Sequence, residues 1–227
     1  MYALLLAQNP DEKAVLSLVL QRAGLAVIPV VALERALQMW PERPADLILA
    51  AFHNDVALEG SRAIRAETSV PLVVIVDAVS ENLHWELLEA GADLVVSRPF
   101  SARLLMSQVR SLLRRAGGMP LSSLPTLSLS GLRLDPVTRT VQVTGQPSHR
   151  LTHLEFRLMY TLMMNRGQVL YTETIIEQVW GYSGRGDKDL LRGLVRRLRT
   201  KVEPNPRQPR YIVTVPGIGY SFDPEEK

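Results

Sequence analysis

The sequence contains no cysteine, so disulfides and thiolate metal sites are excluded. Its four histidines, His53, His84, His149 and His153, show no ligand spacing suited to zinc. No metal, cofactor or catalytic residue is expected. Long hydrophobic runs are missing as well: none approaches the roughly 20 residues needed to cross a bilayer. The opening MYALLLA is strand-like, with neither the basic start nor the cleavage site of a leader. A cytoplasmic protein without membrane contact is the expectation. Charge excess is small, +3 over 227 residues, but it is unevenly spread. Residues 1–118 carry 11 Lys/Arg and 13 Asp/Glu (net −2), and residues 119–227 carry 15 and 10 (net +5). A polyanionic partner therefore belongs on the C-terminal part.

This length suits two small domains, each with its own core. Across the first 115 residues, short apolar runs at 3–7, 26–31, 46–51, 71–76 and 93–96 alternate with segments of helical length and period. Five strands interleaved with five helices predict an α/β domain over residues 1–116, a doubly wound five-stranded parallel sheet covered on both faces. Gly24, Gly60 and Gly91 fall where connections are expected to begin, and Ser80 and Ser101 are the expected N-caps of the fourth and fifth helices. In such a sheet the functional crevice lies beyond the carboxyl ends of the strands. That rim is Ala7, Gln8, Asn9, Ala51, Phe52, His53, Val76, Asp77, Ser97 and Arg98.

The stretch AGGMPLSSLPT is rich in Gly, Ser and Pro without apolar period, so residues 117–126 read as a linker. Residues 127–227 form the second domain. It begins with alternating apolar and polar residues broken by turn signals at Ser130–Gly131, Asp135–Pro136 and Gly145–Gln146, which predict a small antiparallel sheet. Thr152 and Glu155 then make a capping box that opens a helix to about Asn165. Thr172 is the expected cap of a second helix, broken by the loop GYSGRGD, and RYIVTVPGIGYSF gives two short strands joined by a turn.

Between these lies DKDLLRGLVRRLRTKVE, residues 187–203. At helical spacing Leu191, Leu194, Val195, Leu198 and Val202 fall on one stripe, and Lys188, Arg192, Arg196 and Arg199 on another. Lys188, Arg192, Arg196, Arg197, Arg199 and Lys201 put six cations within fourteen positions, against one acid. Such a face is either solvated or meets phosphates. Three helices and a hairpin, the third helix basic, is the α+β layout of a winged helix-turn-helix. Trp180, Tyr211 and Tyr220 sit amid apolar neighbours and are expected in the core.

Two resemblances sharpen this reading. ADLIL, VPLVVIV, EAGADLVVSRPFSARLL and VRSLLRR resemble the receiver domain of two-component response regulators over residues 1–115. LTHLEFRLMYTL, the QVW-G at 178–181, LVRRLRTKVE and TVPGIGY resemble the OmpR/PhoB-type effector domain over residues 127–223. The receiver resemblance implies a phosphorylation site whose acids, acceptor aspartate, Ser/Thr and lysine fall on Ala7 and Gln8, Ala51, Val76 and Arg98. Every chemical position departs from the pattern. It offers neither a carboxylate nucleophile nor charge for magnesium, so a pseudo-receiver independent of phosphorylation is expected.

The effector resemblance implies sequence-specific binding of double-stranded DNA, with the third helix in the major groove. Arg192 and Arg196 are the candidates for base edges, since arginine grips guanine O6 and N7. Lys188, Arg197, Arg199 and Lys201 are placed on phosphates or as braces. Where the family carries a wing arginine this chain has Pro216, with Arg210 and Thr214 the nearest replacements. The family's receiver face for homodimerisation falls on Leu94, Leu104 and Gln108, and RNA polymerase is a further expected partner. Two alternatives stand beside this reading. One is a conventional phosphorylation-switched regulator using a displaced Asp55 or Asp77. The other is an interaction adaptor whose winged helix docks on protein without reading DNA.

Overall fold

The computed structural model describes residues 1–40, 45–78, 80–116, 124–181 and 188–222. The expected linker and the loop after Gly181 fall largely outside them. The chain divides into two compact units, Met1–Arg114 and Arg115–Lys227.

The first unit alternates β1 (Tyr2–Leu6), α1 (Pro10–Arg22), β2 (Ala26–Val30), α2 (Leu33–Met39), β3 (Leu47–Ala51), α3 (Asn54–Glu67), β4 (Leu72–Val76), α4 (Glu81–Glu89), β5 (Leu94–Ser97) and α5 (Ala102–Ala116). All the strand pairings are parallel, in the order β2-β1-β3-β4-β5. β3 and β4 are buried along their whole length, as continuous apolar runs between two helical layers require. Ser80 accepts the Leu83 N–H and Ser101 the Leu104 N–H, so both cap as expected. Gly60 departs from expectation. It lies inside α3, where an added Cβ would stand 2.6 Å from the Phe52 ring. The glycine makes room for that ring at the end of β3 rather than starting a connection.

The second unit begins with an antiparallel sheet, β6 (Leu127–Leu129), β7 (Leu132–Asp135), β8 (Thr140–Val143) and β9 (His149–Arg150), paired in sequence order. The helices α6 (His153–Met164), α7 (Thr172–Trp180) and α8 (Lys188–Val202) follow, with β10 (Val169–Tyr171) between the first two and β11 (Ile212–Val215) and β12 (Gly219–Phe222) last. The capping box on α6 is present with both of its hydrogen bonds. Thr172 does not cap α7. It is the first helical residue, and both its backbone N–H and its hydroxyl donate to the Ile218 carbonyl of the β11–β12 turn. The terminal hairpin gains a third strand, since β12 pairs with β10 as well as β11. Trp180, Tyr211 and Tyr220 are buried, as expected.

Candidate nucleic-acid interface

α8 buries the stripe Leu191, Leu194, Val195, Leu198 and Val202 against its own unit. Its cations divide into two sets. Lys188, Arg192 and Arg196 are exposed on the opposite side. Lys188 Nζ lies 3.2 Å from Glu173 Oε1 and Arg192 donates to Asp189 Oδ1 at 2.9 Å, with Asp189 about half exposed and the other three side chains largely in solvent. Such pairs hold their cations weakly and yield them to a stronger anion.

The remaining helix cations are turned inward: Arg197 and Lys201 take the bracing alternative expected for them, and the placement of Arg199 on the exposed stripe is corrected. Arg197 Nε stands 3.6 Å from Glu155 Oε1, and Lys201 donates to Glu155 Oε2 at 2.7 Å and to the Arg150 carbonyl at 3.1 Å. Burial pushes the Glu155 carboxyl up, but Lys201 and Arg197, with the Thr152 N–H, outweigh it and hold the group below its ordinary range. Both cations are structural braces. Arg199 is half-buried rather than exposed. Its guanidinium donates from Nε to the Ile212 carbonyl at 3.0 Å and from Nη2 to that carbonyl and to Thr214 Oγ1, and it lies 6.0 Å over the Tyr220 ring. Burial lowers its pKa. It ties the helix to β11.

Between the start of α8, Thr172 and the wing lies a cleft of about 150 Å³, bordered by Lys188, Arg192, Thr214, Gly217, Ile218 and Tyr220. Gly219 is required here, because a Cβ would overlap the Leu170 carbonyl oxygen. Arg210 is exposed beside the wing, its guanidinium 5.7 Å over the Tyr211 ring, and Thr214 is exposed on β11. Glu203 was not singled out by spacing. Buried beyond the end of α8, it accepts the backbone N–H groups of Arg210, Tyr211 and Ile212 and so fixes where the wing begins.

In the first unit the carboxyl ends of the strands open a second concavity, about 350 Å³, bordered by Gln8, Asn9, Ala51, Phe52, His53, Asp77 and Arg98, with Glu12 and Val56. Ala7, just past β1, and Val76, the last residue of β4, are fully buried. Arg98 dominates the crevice. It donates to both oxygens of Glu12, at 2.6 and 3.0 Å, to the Phe52 carbonyl at 2.9 Å and to Asp77 Oδ1 at 3.2 Å. The Glu12 hydrogen bond raises its pKa against the opposing effect of burial. His53 Nδ1 stands 3.4 Å from the other Asp77 oxygen. Asp55 is exposed in the first turn of α3. Among the described residues no three His, Cys, Asp or Glu side chains group as a metal site. The bond between Arg98 and Pro99 is cis.

The expected dimer face is corrected at one position. Leu94 is 3% exposed at the start of β5, paired with Val73, and belongs to the unit's own core, whereas Leu104 on α5 is 58% exposed. Gln108 is half-buried.

Comparison with known proteins finds relatives along the chain. Residues 145–222 match the family described as transcriptional regulatory protein, C terminal. The DNA-binding dual master transcriptional regulator RpaA of Synechocystis sp. is 30% identical, covering 97% of this chain and 94% of that protein. The sensory transduction protein RegX3 of Mycobacterium tuberculosis is 34% identical over 92% of each. The KDP operon transcriptional regulatory protein KdpE of Escherichia coli is 32% identical over 93% and 96%. Among solved structures, a mutant of RitR superposes with a TM-score of 0.74 at 27% identity, covering 97% of this chain and 98% of that one. Among the described residues no helix is long and apolar enough to cross a membrane.

Proposed function

The chain belongs to the OmpR/PhoB-type two-component response regulators, and from that premise we propose that it is a non-catalytic, sequence-specific regulator of transcription that binds double-stranded DNA through α8 and the β11–β12 wing. The observation that carries the reading is the pair Arg192 and Arg196, exposed one turn apart on the face of α8 beside the wing cleft, with Arg192 held only weakly by its solvent-facing pair to Asp189. A helix of this kind fits the major groove, and two such arginines can each read a guanine edge. Lys188 and Arg210 supply backbone contacts, and Thr214 adds a neutral contact from the wing. With Arg197, Arg199 and Lys201 engaged inside the unit, the salt dependence of binding should be moderate, a log–log slope of about −3 to −5 for one winged helix. Arg196→Ala should cost about 1–3 kcal/mol on a site selected from genome fragments and relax discrimination at one base pair. Binding that ignores salt, or an Arg196→Ala protein that binds as well as the parent, would overturn the assignment and favour a protein-docking role.

We further infer that the first unit works without phosphorylation. Aspartyl phosphorylation needs a carboxylate nucleophile and anionic oxygens around magnesium. The crevice offers Ala51 and Gln8, and its two carboxylates, Glu12 and Asp77, are already engaged by Arg98. A second copy of the chain is assigned to the α5 surface around Leu104 and Gln108, and RNA polymerase is the proposed downstream partner on promoters.

A further inference from the structure

The four-stranded sheet of the second unit carries a pair of arginines that the base-reading helix does not use. Arg139 sits half-buried in the turn between β7 and β8, with a left-handed backbone at φ 54°. Its carbonyl accepts the Leu151 N–H at 2.8 Å, and the next residue, Thr140, pairs directly with Arg150 across β8 and β9. The fold thus brings Arg139 and Arg150 together at one edge of the sheet. Neither guanidinium has an ion pair or hydrogen bond among the described residues. The nearest acid in the register, Asp135, opposes Thr140 and turns Oδ1 to the N–H groups of Val137 and Thr138. On the α8 side, Glu155 is taken by Lys201 and Arg197, and Lys201 also donates to the Arg150 carbonyl.

A half-buried charge close to a like charge is an expensive arrangement. Burial first, and then Arg150, hold the Arg139 guanidinium below its ordinary pKa. A tetrahedral oxyanion between the two side chains would convert the repulsion into charge-assisted hydrogen bonds on both, and the planar fork of arginine suits that geometry. We propose that Arg139 and Arg150 form a phosphate-binding site beside the last turn of α8, filled by a backbone phosphate when the protein is on DNA. The site rests on the DNA-binding reading for the source of its phosphate, though not for its chemistry. It would act as an anchor that sets the tilt of α8 in the groove without reading sequence.

Two arms on the full chain test it. In the first, inorganic phosphate is titrated into DNA-free protein while the arginine Nε–H resonances are followed. In the second, DNA affinity is measured between about 50 and 200 mM salt for the parent, Arg150→Ala and Arg150→Glu. Arg150 is exposed, so neither change disturbs the core, and Arg150→Glu should raise the Tm by giving Arg139 a partner. The expected result is a phosphate-induced shift of both arginines in the parent, absent in Arg150→Glu. The slope should fall by about 1 in Arg150→Ala, with the preference for target over scrambled DNA retained. A shift with phosphate but an unchanged slope keeps the site and assigns it to free phosphate. No shift and no change of slope would overturn the proposal. A parent that shifts with phosphate but binds no DNA would leave the site standing and remove the DNA-binding function instead.

Discussion

Glu155 lies buried in the first turn of α6, where it caps the helix and also holds Lys201 and Arg197. Removing its charge leaves two partly buried cations without their counter-ion, so Glu155→Gln should destabilise the second unit by about 3–5 kcal/mol in urea unfolding. Its pKa is lowered by folding. The stabilisation it gives is therefore present above the unfolded carboxylate pKa and fades as pH falls through the lower folded value, a window on the acid side of 4.5. The Glu155→Gln protein should lose that acid dependence; an identical acid melting curve for variant and parent would remove the linkage. Only half of this residue's role was legible in the sequence, because the T-x-x-E capping pattern is local whereas the meeting with Lys201 spans 46 positions. Glu12 was missed for the same reason, since its partner Arg98 is 86 residues away. Arg199 misled because a spacing of seven from Arg192 returns to nearly the same face of a helix, and nothing in that period reveals that β11 lies over it.

At the scale of elements, long helices and fully buried strands were readable from period and composition alone. The three-residue β10 was not. Val169–Tyr171 is too short for an alternation signal, and pairing with β12 some 50 residues later creates the strand. The wing depends on that pairing. Gly219→Ala should therefore drive β10 and β12 apart while α6 and α8 persist, seen as a loss of DNA affinity with near-native helix content by circular dichroism. Full affinity in that variant would mean that the wing tolerates far more displacement than its close approach to the Leu170 carbonyl allows. Arg199→Lys is a milder probe of the same junction. Lysine cannot reproduce the fork that reaches both Ile212 and Thr214, so affinity should drop while the salt slope stays that of the parent. A slope reduced by about 1 would instead return Arg199 to the phosphate contacts.

For the whole molecule, incubation with acetyl phosphate and magnesium should add no phosphoryl group and leave DNA affinity unchanged. A mass gain of one phosphoryl group, abolished by Asp55→Ala, would restore the conventional switch. Sedimentation of the parent against Leu104→Glu tests the α5 surface: the parent should dimerise at micromolar concentration and the variant should be monomeric, and a dimer that survives the change would exclude Leu104 from the contact. The role of Leu94 could not be settled by sequence, because a leucine at the start of a parallel strand reads equally as core and as interface.

The three-stranded arrangement at the end of the second unit has a consequence for how the molecule breathes. A two-stranded hairpin alone is marginal in water and would exchange its amide protons almost freely. Here Gly167 donates to the Phe222 carbonyl and Thr172 to the Ile218 carbonyl, so the stretch from the turn through β12 is bonded to the chain on both sides of β10. The amides of Val213 and Tyr220 should accordingly exchange with deuterium only when the helical core opens, at the same protection as Leu158 and Leu162, rather than by local fraying. The finger proposed to touch DNA would then belong to the most slowly opening part of the unit, and its position in the groove would be set before DNA arrives.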